Sequence, residues 1–316
     1  MEPLWYEHPP FLRQDHSRRV TLELRDPKGI FCQYVDVYTP QSSLRASLPL
    51  LIAPHPMGWK ASEDYLGGIP NLYRRFHRGY FGLVEAYQFI LAMPHGRLGP
   101  VENTTLASEA QINDLALIPD FLRKHGFQID FKRIYSCGLS MGGQEALVFA
   151  GKYPEILAAV VVFNPIVDLT AWLEDLEITS IKPIQDYQTA EKITLEVGGK
   201  PFEKPKEYAI RSASNYIAGI SQVPTLLFWS ERDAVIPRQT SHHAYRLYQE
   251  VKSLNPFSPI AEYNHTSLHG KIDPSLESCW MLHEWCDYEW GDSMVISARE
   301  KGTLIASKIP VLLVLF

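Results

Sequence analysis

Ile134-Tyr135-Ser136-Cys137-Gly138-Leu139-Ser140-Met141-Gly142-Gly143-Gln144-Glu145-Ala146-Leu147-Val148-Phe149 changes character half-way through. Ile134 to Cys137 reads as a strand, and Gly143 to Tyr153 as a helix closed by Pro154. Between them, Gly138-Leu139-Ser140-Met141-Gly142 fits G-x-S-x-G. The bare pattern is common. A strand before it and a glycine-initiated helix after it give it meaning, because they put the serine on a tight turn that the flanking glycines allow to close. The helix starting there turns its positive end, and the N–H of Met141, toward the place where an oxyanion would form. Ser140 is therefore the candidate nucleophile.

Outward from this turn, Leu48 to Ala53, Phe89 to Met93, Leu157 to Phe163 and Thr225 to Trp229 are apolar runs suited to strands buried on both faces. Ser258 to Tyr263 reads as the last central strand. Arg19 to Leu24 and Ile30 to Tyr38 predict an opening antiparallel pair joined by the turn Asp26-Pro27-Lys28-Gly29. Ser108 to Lys124 has helical spacing and ends at His125-Gly126. Strands alternating with helices predict an α/β fold, a mostly parallel sheet covered on both faces. Residues 1–316 are expected to form one domain. Thr170 to Val223 is too long for a simple crossover and is expected to be a lid or cap over the sheet's carboxyl edge; an ordinary helical excursion is the alternative.

A serine nucleophile needs a base, and the base an orienter. In parallel-sheet hydrolases the chain order is Ser, then an acid, then His. Asp233 falls just past the strand Thr225 to Trp229, where such sites lie, with Glu231 as the rival carboxylate. The base is expected in the loop Asn264 to Ile272, between the last strand and a helix begun by Asp273-Pro274. His269 is preferred because Gly270 lets the chain turn back, and His265 is its rival. A second oxyanion donor is expected from Pro54-His55-Pro56-Met57-Gly58-Trp59. Pro56 has no N–H, leaving Met57 or Gly58, with Met57 preferred. Trp59, Trp172 and Tyr187 are candidate walls of a substrate pocket.

The rest of the chain narrows the setting. A formal net charge of −6, without any Lys/Arg run, disfavours nucleic acid and anionic membranes as partners. The four cysteines are scattered without a CxxC, so no metal centre is expected and a reduced, cytoplasmic setting fits. The N-terminus does not read as a signal peptide, and the apolar run Ile309 to Phe316 is too short to span a bilayer. The proposed chemistry needs no cofactor.

With these residues in place, the chain from about Leu48 to Trp290 resembles the catalytic domain of the prolyl oligopeptidase family and related esterases, all of the α/β-hydrolase fold. Ile129-Asp130-Phe131-Lys132-Arg133-Ile134 is similar to the family's approach to the serine strand. Asn164-Pro165-Ile166-Val167-Asp168-Leu169 is similar to its Pro-x-x-Asp segment. The stretch from Gly198-Gly199 through Tyr208, Arg211-Ser212 and Asn215-Tyr216 is similar to what precedes its acid-bearing strand. The resemblance implies a triad of Ser140, Asp233 and His269. Two departures point to esters rather than peptides. His55-Pro56-Met57 replaces the usual His-Gly-Gly, and the residues before Leu48 are too few for the family's substrate-filtering propeller. A small ester is thus the expected substrate and a short peptide the alternative. An amine-anchoring pair among Glu174, Asp175 and Glu177 would favour a peptidase. Acyl transfer to an acceptor other than water is a further option, and a catalytically silent binding module the remotest.

Overall fold

The computed structural model describes residues 5–6, 18–41, 47–58, 84, 88–178, 184–264, 294–297 and 304–307. Its main sheet has strands β1 (Trp5–Tyr6), β2 (Arg18–Arg25), β3 (Phe31–Thr39), β4 (Leu48–Ile52), β5 (Ile90–Pro94), β6 (Ile129–Leu139), β7 (Ala159–Phe163), β8 (Thr225–Trp229) and β9 (Ile260–Asn264). They lie in the order β1-β2-β3-β5-β4-β6-β7-β8-β9. The pairs from β1 to β5 along that order are antiparallel, and those from β5 onward are parallel. The expected opening hairpin is present. In its turn, one carboxylate oxygen of Asp26 accepts the N–H groups of Lys28 and Ile30, each at 2.9 Å.

β4, β5 and β7 are buried at every residue, which is why their sequences are continuous apolar runs and not alternating ones. The layers that bury them are α1 (Glu109–Lys124), α2 (Met141–Lys152) and, further on, α8 (Ala244–Leu254). Leu115, Ile118 and Leu122 of α1, Leu147 and Phe149 of α2, and Leu247 and Val251 of α8 share one core with the strands. α1 starts where its cap predicts, the Ser108 hydroxyl accepting the Gln111 N–H at 3.3 Å. β6 begins at Ile129, five residues before the expected Ile134, because Asp130, Lys132 and Arg133 on its partly exposed first half carry charge and break the apolar pattern.

The stretch between β7 and β8 is helical: α3 (Leu169–Ile178), α4 (Ile184–Val197), α5 (Pro205–Arg211), a 3₁₀ turn (Ala213–Tyr216) and α6 (Ile217–Ile220). It does two things. Trp172, Leu173, Leu176, Ile193, Val197 and Tyr208 form a second core with Leu106, Met141, Ile166 and Ile236. Met141, Ile166 and Ile236 follow the carboxyl ends of β6, β7 and β8, so this half sits on the sheet edge that carries Ser140. The other half, through Ala213 and Ile220, joins the main core against α2.

α7 (Gln239–His242) precedes α8. A separate antiparallel pair, β10 (Met294–Ser297) with β11 (Leu304–Ser307), was not anticipated from the sequence. The helix begun by Asp273, the cysteines Cys279 and Cys286, and the run Ile309 to Phe316 lie outside the described residues.

Candidate active site

β6 delivers the chain to Ser140 in a backbone conformation that few side chains adopt, φ 59° and ψ −122°. Such a residue costs roughly 1–3 kcal/mol and persists only where its surroundings hold it. Here the Ser140 N–H donates to the Phe163 carbonyl at 3.0 Å, and its own carbonyl accepts from Gln144 at 3.0 Å. The glycines explain themselves by contact. A Cβ on Gly142 would lie 2.3 Å from the Pro54 carbonyl oxygen, and one on Gly138 would lie 2.2 Å from the Gly142 carbonyl carbon. G-x-S-x-G is therefore the sequence of a turn packed backbone to backbone, on itself and on the loop after β4. The serine is 6% exposed. Met141 opens α2, so its N–H has no partner within the helix.

Two strands away, separated by only β7, β8 leads to Asp233. The residue is 3% exposed. One carboxylate oxygen accepts the N–H groups of Val235 and Ile236, both at 2.9 Å, which fixes the plane of the group. The rival Glu231 is exposed. β9 runs parallel to β8 with Asn264 opposite Trp229, so it ends at the same edge. His265 and His269 lie outside the described residues.

The loop after β4 touches the turn at Gly142, as noted. Pro54 and Pro56 have no N–H, and the Gly58 N–H donates to Asn103 O at 2.8 Å. Gly58 is thus committed elsewhere, while Met57 packs against the second core. The ring of buried His55 spans the carbonyls of Pro56 and His95, at 2.7 and 3.0 Å, tying this loop to the one after β5.

Trp172 is not an open pocket wall. It is 2% exposed, and its indole N–H donates to the Val235 carbonyl at 2.8 Å, propping the loop that carries Asp233. Trp59 and the side chain of Tyr187 lie outside the described residues. Of the three acids on α3, Asp175 is ion-paired with Arg238, Glu177 with Lys200 at 3.1 Å, and Glu174 is exposed.

Three buried ionisable groups were not legible in the sequence: Glu145, Arg211 and His243. Glu145, on the second turn of α2, is hydrogen-bonded to the Thr105 hydroxyl and accepts from Gln111 at 3.0 Å. Burial pushes its carboxyl up to about 7, against the pull of those hydrogen bonds. Arg211 of α5 is 6% exposed, and burial lowers its pKa while nearby Glu196 and Glu207 oppose the shift. His243 is fully buried, accepts the Val167 N–H at 3.1 Å, and is held neutral by burial, its pKa lowered to about 3. The one available signal was an ionisable residue in an otherwise apolar helix, Gln144-Glu145-Ala146-Leu147-Val148.

The sequence profile of the prolyl oligopeptidase family matches residues 102–274. The chain belongs to that family. Membership makes it a serine hydrolase, and the matched segment contains Ser140, Asp233 and both histidines. No curated protein matches it in sequence.

Solved structures share the fold. An S-formylglutathione hydrolase from Agrobacterium tumefaciens superposes with a TM-score of 0.55 at 14% identity, over 85% of this chain and 91% of that one. An acylaminoacyl peptidase of Pyrococcus horikoshii gives 0.60 at 16% identity, over 82% and 39%. A puromycin-hydrolysing peptidase of Mycobacterium tuberculosis gives 0.57 at 17%, over 80% and 36%. The chain thus spans nearly all of the first but little more than a third of either peptidase. Among the described residues no helix is long and apolar enough to cross a membrane.

Proposed function

We propose that the protein hydrolyses small carboxylic esters through an acyl-enzyme on Ser140. The observation that carries this is the serine's φ of 59° at the head of α2, which sets a nucleophile at the positive end of a helix. Ser140 attacks the ester carbonyl while His269 takes its proton, and Asp233 holds the imidazole in the right tautomer. The N–H groups of Met141 and Met57 bind the oxyanion. The protonated imidazole returns the proton to the leaving alcohol, and water then releases the acid by the same steps.

Supporting an ester over a peptide is the His55-Pro56-Met57 loop, and a solved S-formylglutathione hydrolase shares the fold. On the peptidase side stand the family itself and the acylaminoacyl peptidase likeness. The part of residues 170–223 that packs on Met141 and Ile236 would act as the cap over the substrate. A reduced, cytoplasmic setting is in keeping with the scattered cysteines, of which Cys32 and Cys137 are buried.

A fluorophosphonate should label wild type and not Ser140→Ala; labelling of that variant at wild-type stoichiometry removes the nucleophile. His269→Ala should lose roughly three powers of ten in kcat, and His265→Ala far less. Aryl esters should exceed matched peptide amides in kcat/KM, and equal rates would hand the function to the peptidase reading.

A further inference from the structure

Residues 103–107, between β5 and α1, are strained without glycine. Asn103, Leu106 and Ala107 have φ of 52°, 43° and 52°, a region side-chain-bearing residues occupy only when surroundings impose it. What imposes it comes from two directions. From the segment between β7 and β8, the Arg211 guanidinium donates to the Thr105 carbonyl at 2.8 Å and to that of Leu106 at 3.4 Å. From the nucleophile helix, Glu145 takes the Thr105 hydroxyl and the Ala107 N–H. Arg211, Glu145 and Thr105 are each at most 6% exposed.

This loop touches both halves of the proposed oxyanion hole. The Asn103 carbonyl accepts the N–H of Gly58, next to Met57. The Leu106 N–H and the Thr105 hydroxyl reach the Met141 sulfur at 3.4 and 3.8 Å. We infer that Arg211 and Glu145 are positioning residues for the oxyanion hole, holding the Met57 and Met141 N–H groups in register through residues 103–107. The inference rests on the proposed acyl-transfer function. Oxyanion donors work by standing in place before charge develops, and a displacement of about 1 Å can cost on the order of a hundredfold in rate. A two-carbonyl grip by a planar, permanently charged guanidinium suits that task better than a flexible ammonium would.

The test compares wild type with Arg211→Met, Glu145→Leu, Glu145→Gln and Thr105→Val in the full chain. A fluorophosphonate counts active sites at the labelling endpoint, 4-nitrophenyl acetate gives kcat and KM per labelled site, and an aryl trifluoromethyl ketone serves as oxyanion mimic. Arg211→Met and Glu145→Leu should lower kcat per site by about tenfold to a hundredfold and leave KM within about twofold. Ketone affinity should fall by the same factor as kcat. Glu145→Gln keeps partners for Thr105 and Gln111 and should stay within about threefold of wild type. A purely packing role would lower the number of active sites and leave kcat per site and ketone affinity unchanged, and that result overturns the inference. If the two larger changes yield no folded protein, Thr105→Val, which removes one hydroxyl, decides: a loss of about threefold or more supports the inference and wild-type values overturn it. Failure of wild type to label at Ser140 would instead defeat the functional reading, a distinct outcome.

Discussion

At Asp233 the carboxylate plane is set by two backbone N–H groups on a loop that Trp172 props from behind. Asparagine fits the same space but offers an amide N–H, which favours the wrong imidazole tautomer. Asp233→Asn should therefore lower kcat by roughly a thousandfold or more while thermal unfolding stays within a few degrees of wild type. Glu231→Gln, at an exposed position, should stay within about twofold. The reverse ranking would move the role to Glu231. The places of Ser140 and Asp233 at the sheet edge were legible in the sequence because each follows closely on a strand, and strands announce themselves locally. Glu145 and Arg211 were not, because what gives them meaning is distant: Thr105 lies 40 residues from the first and 106 from the second. No window of sequence contains both partners.

Among the elements, β4, β5 and β7 were found within a residue or two of their sequence bounds, where burial on both faces left an uninterrupted apolar run. β8, fully buried only at alternate residues, was found at its expected bounds. β6 was shortened in the sequence because its exposed first half carries charge. The segment between β7 and β8 was legible as an extra unit but not as two packing surfaces, one on the carboxyl edge and one on α2, since its tyrosines serve both, Tyr208 in the second core and Tyr216 against the first. The strand-to-helix turn makes the sharpest element-level prediction. Gly142→Ala places a methyl 2.3 Å from a backbone oxygen of another loop, which only movement of the turn or of Pro54 can relieve. Stability should drop by about 1–3 kcal/mol, and fluorophosphonate labelling should slow by far more than the folded fraction falls. Labelling at the wild-type rate per folded molecule would show the turn to be compliant.

Over the whole molecule, two buried groups pull stability in opposite directions with pH. His243 has its pKa lowered by burial to about 3, so below pH 6.5 the unfolded chain gains a proton the folded one refuses, and stability falls as acid is added. Glu145 has its pKa raised by burial to about 7. Between 4.5 and 7 the folded chain keeps a proton the unfolded chain releases, and stability falls as pH rises. From pH 4.5 to 6.5 these slopes oppose each other, each at most about 1.4 kcal/mol per pH unit. Urea unfolding across that window should show the wild-type-minus-His243→Gln difference rising with pH and the wild-type-minus-Glu145→Gln difference falling. Parallel curves for a variant and wild type would mean the group titrates alike in both states. The contact between the Pro54 loop and the serine turn bears on how the chain reaches this state. Ser136, just ahead of that turn, hydrogen-bonds the Ile52 carbonyl across 84 residues of intervening chain, and closing so long a loop comes after local helices have formed. During refolding, far-ultraviolet ellipticity should recover first and reactivity toward the fluorophosphonate last. The nascent chain would then carry no active serine until its central strands had met, a delay that keeps a half-made hydrolase from acting on its surroundings.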